Sequence, residues 1–160
     1  ADNQQGRLLH INPWYIAGFV DGEGSFHIAL YQDIRMKTKW KVIPEFHVSQ
    51  RITSRNVLDD LVKFFRCGYV KLNHRTNPND NTCVYVVRNR EDLLKIIIPF
   101  FEKYLLRTQK AKDFNLFVKV VKLMAEGSHK NTKGIHRIIN IAYKMNGGGR
   151  YRQRPKPKVK

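Results

Sequence analysis

The chain has 160 residues, 42% of them hydrophobic, which is enough for one domain with a real core. Its 30 lysines and arginines against 13 acids leave a formal charge of +17, pointing to a polyanionic partner, nucleic acid first and an anionic membrane surface second. No apolar run is long enough to span a bilayer, residues 1–10 lack a signal-peptide core, and Cys67 and Cys83 are too few for a disulfide framework.

The first element is organised around residues 16–26. Asn12 is a good N-cap and Pro13 suits the first helical position, so a helix is expected to about Asp21. Gly18 and Gly22 are four apart and share one bare helix face, with Ala17 beside them, where another backbone can approach closely. Asp21 and Glu23 then fall at the helix C-terminus, where the macrodipole disfavours negative charge. They read either as solvated turn acids or as acids awaiting a cation.

Residues 25–32 alternate, with Phe26, Ile28 and Leu30 on one side and Ser25, His27, Ala29 and Tyr31 on the other. Residues 33–38 form a basic hairpin tip. Residues 39–50 alternate again, with Pro44 predicting a bulge or an unpaired edge. Thr53 or Ser54 caps a second helix that Gly68 should stop. Residues 69–73 are a third strand, with Val70 and Leu72 inward. Residues 82–87 are a fourth strand whose facing is ambiguous. Asn89 and Asp92 resemble a capping pair for a third helix that Pro99 ends or kinks. Thr108 opens a longer helix, and Thr132 caps a last one that Asn146-Gly147 stops. Residues 1–11 read as an extension, 12–146 as the domain, and 147–160 as a basic Gly/Pro/Arg/Lys tail. The expected fold is α+β in the order αββαββα, a four-stranded antiparallel sheet with helices on one face.

The other sheet face then carries His27, Tyr31, Lys39, Lys41, Glu45, His47, Lys71 and Asn73. A strand of about eight residues rises roughly 27 Å, comparable to eight DNA base pairs. Such a face is either a solvated surface or a DNA-groove reader, and the charge of +17 favours the reader. His10, His27, His47, His74, His129 and His136 are scattered, with no HxxxH pair. A zinc site is not expected from them, and each reads as a surface or nucleic-acid contact.

Residues 16–24 resemble the LAGLIDADG motif, with Gly18, Asp21, Glu23 and Gly24 in its characteristic places. The resemblance continues through Phe46-His-Val-Ser-Gln50, Gly68-Tyr-Val, Ile98-Pro-Phe-Phe, Thr108-Gln-Lys110 and residues 135–146, about 135 residues in all. It is similar to the single-motif, homodimeric homing endonucleases. That resemblance implies two motif helices packed at a two-fold axis through Ala17, Gly18, Asp21 and Gly22, with two Glu23 side chains meeting there. It implies a nearly palindromic double-stranded DNA site approaching twenty base pairs and a metal-dependent double-strand break. Glu23 and the Gly22 carbonyl are the expected ligands of Mg²⁺, with Mn²⁺ or Ca²⁺ able to occupy the site. Many family members have Asp where this chain has Glu23.

Gln50 is a candidate to orient a water and Lys110 to steady phosphate charge, with Arg107 the rival for the basic position. Ser25, His27, Tyr31, Lys41, His47, Lys71 and Asn73 are candidate base readers, and Lys39, Arg51, Arg75 and the tail candidate phosphate contacts. The alternatives are an intron RNA-binding maturase on the same fold and a cleavage-inactive DNA-binding protein. The resemblance implies an organellar, intron-encoded origin.

Overall fold

The computed structural model describes residues 11–74 and 76–147. Residues 1–10, Arg75 and the tail from 148 onward lie outside the described residues, and with them the expected N-terminal extension, tail and Arg75 contact.

Helix α1 runs Pro13–Glu23, with the Asn12 side chain accepting from the Trp14 backbone N–H at 2.9 Å. It passes straight into strand β1, Gly24–Gln32. A side chain cannot fit at this junction: a Cβ on Gly24 would stand 2.7 Å from the Val20 carbonyl oxygen. Strand β2, Trp40–Arg51, pairs antiparallel with β1 in unbroken register from Gly24↔Val48 to Gln32↔Trp40. Pro44 therefore makes no bulge. It pairs with Ile28 and lies beyond Phe46↔Val87, the last pair on β2's other side, so the unpaired edge is the alternative realised.

A 3₁₀ turn, Ile52–Ser54, leads into α2, Arg55–Phe65. The helix stops at Arg66, which takes the left-handed conformation (φ 54°), and not at Gly68. Gly68 is needed for close approach instead, since a Cβ there would lie 2.6 Å from the Val86 carbonyl oxygen. Strands β3, Tyr69–Leu72, and β4, Thr82–Val87, complete a sheet of order β1-β2-β4-β3. Leu72, expected inward, is 39% exposed because it ends the edge strand. The ambiguity of β4 has a physical basis. Cys83, Tyr85 and Val87 enter the core under the helices, while Val84 and Val86 are buried on the opposite face.

Helix α3 (90–103) is a continuous run capped by Asn89, whose side chain accepts from the backbone N–H groups of Glu91 and Asp92. Pro99 does not end it. Leu93–Ile97 widens into a π-helical turn just before Ile98–Lys103, which accommodates the N–H that Pro99 lacks. Helix α4, Lys110–Ala125, and helix α5, Thr132–Ala142, are joined by a 3₁₀ turn. Asn131, not Thr132, caps α5, accepting from the Gly134 N–H at 2.8 Å. Phe26 centres the core, its ring 5.0–5.6 Å from those of Phe46, Phe101, Phe114 and Phe117. The helices cover one sheet face and leave the other open, as the alternation predicts.

Candidate active site and nucleic-acid interface

The two acids of the opening motif have different fates. Asp21 is consumed within its own chain. Its carboxylate accepts from the Thr108 hydroxyl at 2.7 Å and from the backbone N–H groups of Arg107 at 3.0 Å and Thr108 at 3.2 Å. Burial pulls its pKa upward, but the Thr108 hydroxyl and these backbone donors outweigh that and hold it below the ordinary carboxylate value. Asp21 thus ties the end of α1 to the start of α4. Glu23 is exposed and makes no hydrogen bond or ion pair among the described residues.

The cation at the helix C-terminus is Lys110. Its Nζ donates to the carbonyl oxygens of Val20 and Asp21, both at 3.0 Å, and of Gly22 at 3.2 Å. The Val20 carbonyl already accepts the last helical N–H, from Gly24, those of Asp21 and Gly22 lie beyond it, and the ammonium answers the negative end of the dipole. Burial pushes the Lys110 pKa down, against the pull of Asp21, Glu23 and Asp113. Arg107, the rival for this position, is exposed and serves Asp21 through its backbone. Gln50 sits at the same end of the sheet, two residues beyond the Val48 that pairs with Gly24. Its side chain makes no hydrogen bond among the described residues.

The open sheet face gathers most of the expected readers in rows. Ser25, His47, Val86 and Tyr69 are aligned across the four strands, as are Ser49, Val84 and Lys71 on three of them. His27 faces Glu45, and Tyr31 faces Lys41 at the hairpin end. Tyr31 is 51% exposed, and Lys39, Lys41, Arg51 and Asn73 are also exposed. Glu45 is the exception, buried at 3% exposure beneath His27 and His47 and ion-paired to Arg88. Burial would raise its pKa, but the two imidazoles hold it well below the ordinary value. The alternation placed Glu45 on this face; the Arg88 pairing, from beyond β4, had no sequence signal.

The bare α1 face is present. Gly18 and Gly22 are exposed, and an added Cβ at either meets nothing within 4 Å. Trp14 and Tyr15 flank it at 56% and 54% exposure. Ala17, expected beside the glycines, faces inward at 4% exposure, because it lies with Ile16 and Val20 on the buried side.

The LAGLIDADG endonuclease family model matches residues 16–121. The chain is 36% identical over 140 residues to probable intron-encoded endonuclease 3 of Neurospora crassa, which covers 88% of this chain and 26% of that protein. It spans about a quarter to a third of the length of that protein and of probable intron-encoded endonuclease 2 of the same organism. The crystal structure of the homing endonuclease I-TnaI superposes with a TM-score of 0.80 at 38% identity, covering 88% of this chain and 91% of that one. I-SmaMI bound to uncleaved DNA in the presence of calcium ions superposes with a TM-score of 0.80 at 33% identity, covering 93% of this chain and 52% of that one.

Proposed function

This chain belongs to the LAGLIDADG endonuclease family, and on that premise we propose that it is a site-specific homing endonuclease. It acts as a homodimer and makes a divalent-metal-dependent double-strand break in a long, nearly palindromic DNA site. The observation that carries this reading is the division of labour at the end of α1. Asp21 and Lys110 are fully engaged in building the junction, while Glu23 projects from it unpaired.

The residues present fit a hard divalent ion. The Glu23 carboxylate and the Gly22 carbonyl would hold Mg²⁺, or Mn²⁺ or Ca²⁺ in its place. The carbonyl shares one oxygen with Lys110 and has a second lone pair available. When bound, such an ion supplies an activated water and charge stabilisation for phosphodiester hydrolysis. One carboxylate per chain is a meagre ligand set, which supports a site completed by Glu23 of a second copy. Lys110, its three donors given to carbonyls, would act on the phosphate through its positive charge and not through a direct hydrogen bond. Gln50, at the same end of the sheet, would orient a water.

Pairing of two α1 helices through Gly18 and Gly22 would cover Trp14 and Tyr15, large rings that a lone domain leaves in water. The match to about half of I-SmaMI supports an active assembly of two such units. Ser25, His27, Tyr31, Lys41, His47, Lys71 and Asn73 then read base edges, with Lys39 and Arg51 on phosphates. The intron-encoded relatives support an organellar intron as the origin.

A second reading, intron RNA binding, draws on a groove between α4 and α5. Lys119, Lys133, Arg137 and Lys144 line it, with no acid among its lining residues. None of the four has an ion-pair partner among the described residues. The groove lies on the helical side, away from the open sheet face, so RNA there would not compete with duplex DNA. Selection of cleaved sites from a randomised duplex library tests the endonuclease reading. A long two-fold-related consensus with Mg²⁺, absent with EDTA, is the expected result, and no cleaved consensus would overturn it.

A further inference from the structure

The open sheet face holds a second cluster of metal-binding side chains, at the middle of the β1–β2 ladder. Glu45 and His47 are two residues apart on β2 and so share a face, and His27 is the direct cross-strand partner of Glu45 on β1. Such neighbours have Cβ atoms roughly 5–7 Å apart, close enough for long side chains to converge. They do converge: His27 Nε2 lies 2.6 Å and His47 Nε2 3.2 Å from Glu45 Oε2, and the three ligand atoms all fall within 4.8 Å of one another. We propose that His27, Glu45 and His47 form a site for a borderline divalent transition ion, zinc by preference.

Two imidazoles and a carboxylate suit zinc and leave one coordination position open. Tetrahedral bonds of about 2.0–2.2 Å set ligand atoms about 3.4 Å apart, so His47 already stands at the right spacing from Oε2 and His27 need withdraw by only about 0.8 Å. His47 Nε2 is buried and, despite its charged neighbour, has no hydrogen-bond partner of acceptable geometry among the described residues. Arg88 is ion-paired to the other carboxylate oxygen, Oε1, and Oε2 is the oxygen that faces the two rings. The sequence concealed the cluster because its spacing is that of a sheet, i to i+2 plus a cross-strand neighbour, and not that of a helix.

With an ion bound, His27 and His47 would serve as its ligands in place of the base-reading role given them above; the alternative is a metal-free ion-paired network beneath two DNA-reading rings. The test uses the untagged 160-residue chain carrying Glu23→Gln, which removes the other candidate ligand. After chelator treatment the protein is titrated with Zn²⁺ against a chromophoric chelator, and separately with Co²⁺ while the visible spectrum is recorded. One ion per chain and an intense tetrahedral Co²⁺ band are expected. His27→Ala and His47→Ala in the same background should each weaken Zn²⁺ binding at least tenfold, with thermal melts confirming that both variants fold. No saturable binding, or binding unchanged in both histidine variants, would overturn the proposal. Neither result depends on DNA cleavage.

Discussion

Gly18→Ala separates what the α1 glycines do within one chain from what they do between two. Gly18 lies inside α1, is exposed, and has open space where a Cβ would go. Alanine is favoured over glycine in a helix interior by about 1 kcal/mol, so the isolated domain should gain about that much. For a domain of this size the gain is a rise of roughly 3–4 °C in melting temperature. The paired helices should respond in the opposite sense. Each copy would bring a methyl group to a surface where backbones meet, and overpacking of this kind costs about 1–3 kcal/mol. The dimer dissociation constant should therefore rise roughly five- to a hundredfold. Sedimentation velocity across a dilution series reads the association, and thermal melts below the dissociation constant read the monomer. A variant that is more stable as a monomer and dimerises as tightly as the parent would refute helix pairing through this face.

Gly24→Ala forces a methyl group to within 2.7 Å of the Val20 carbonyl at the rigid α1–β1 junction. It should cost at least about 2 kcal/mol by denaturant unfolding. Asp21→Asn removes a carboxylate that accepts from Arg107 and Thr108, and discounting for partial exposure this should cost about 1–2 kcal/mol at neutral pH. Because folding lowers the Asp21 pKa, its contribution is present above the unfolded value of 3.8 and fades as pH falls through the folded value. The parent should accordingly lose stability relative to the variant on acidification, measured by urea unfolding at stepped pH. Lys110→Met withdraws an ammonium that burial already disfavours. Because its three hydrogen bonds to the Val20, Asp21 and Gly22 carbonyls are lost, stability should fall by about 1–3 kcal/mol. Cleavage, assayed well below the variant's melting temperature, should fall roughly a hundredfold or more, a loss that a purely structural lysine would not give in a folded domain.

Alternation along β1 and β2 made the sheet and its two faces legible, because period-two patterning directly reports which side meets the core. The glycine pair on α1 was legible for the same reason, since a missing side chain leaves a mark in any helical projection. What stayed hidden depended on contacts between distant segments. The Asp21–Thr108 bond joins residues 87 apart, and nothing near Asp21 in the chain indicates its acceptor role. Pro99 read as a helix end or a kink because local chemistry cannot reveal that a π turn will accommodate it. Leu72 looked buried because a strand's pattern does not say that it lies on a sheet edge.

Glu23→Gln removes the charge of the one unpaired motif acid while preserving its shape, and so separates metal chemistry from DNA binding. Binding and cleavage of the selected duplex should be measured side by side in Mg²⁺. DNA affinity should stay within a few-fold of the parent, with no double-strand cleavage. Cleavage at the parent's rate by the Glu23→Gln protein would contradict metal binding by Glu23.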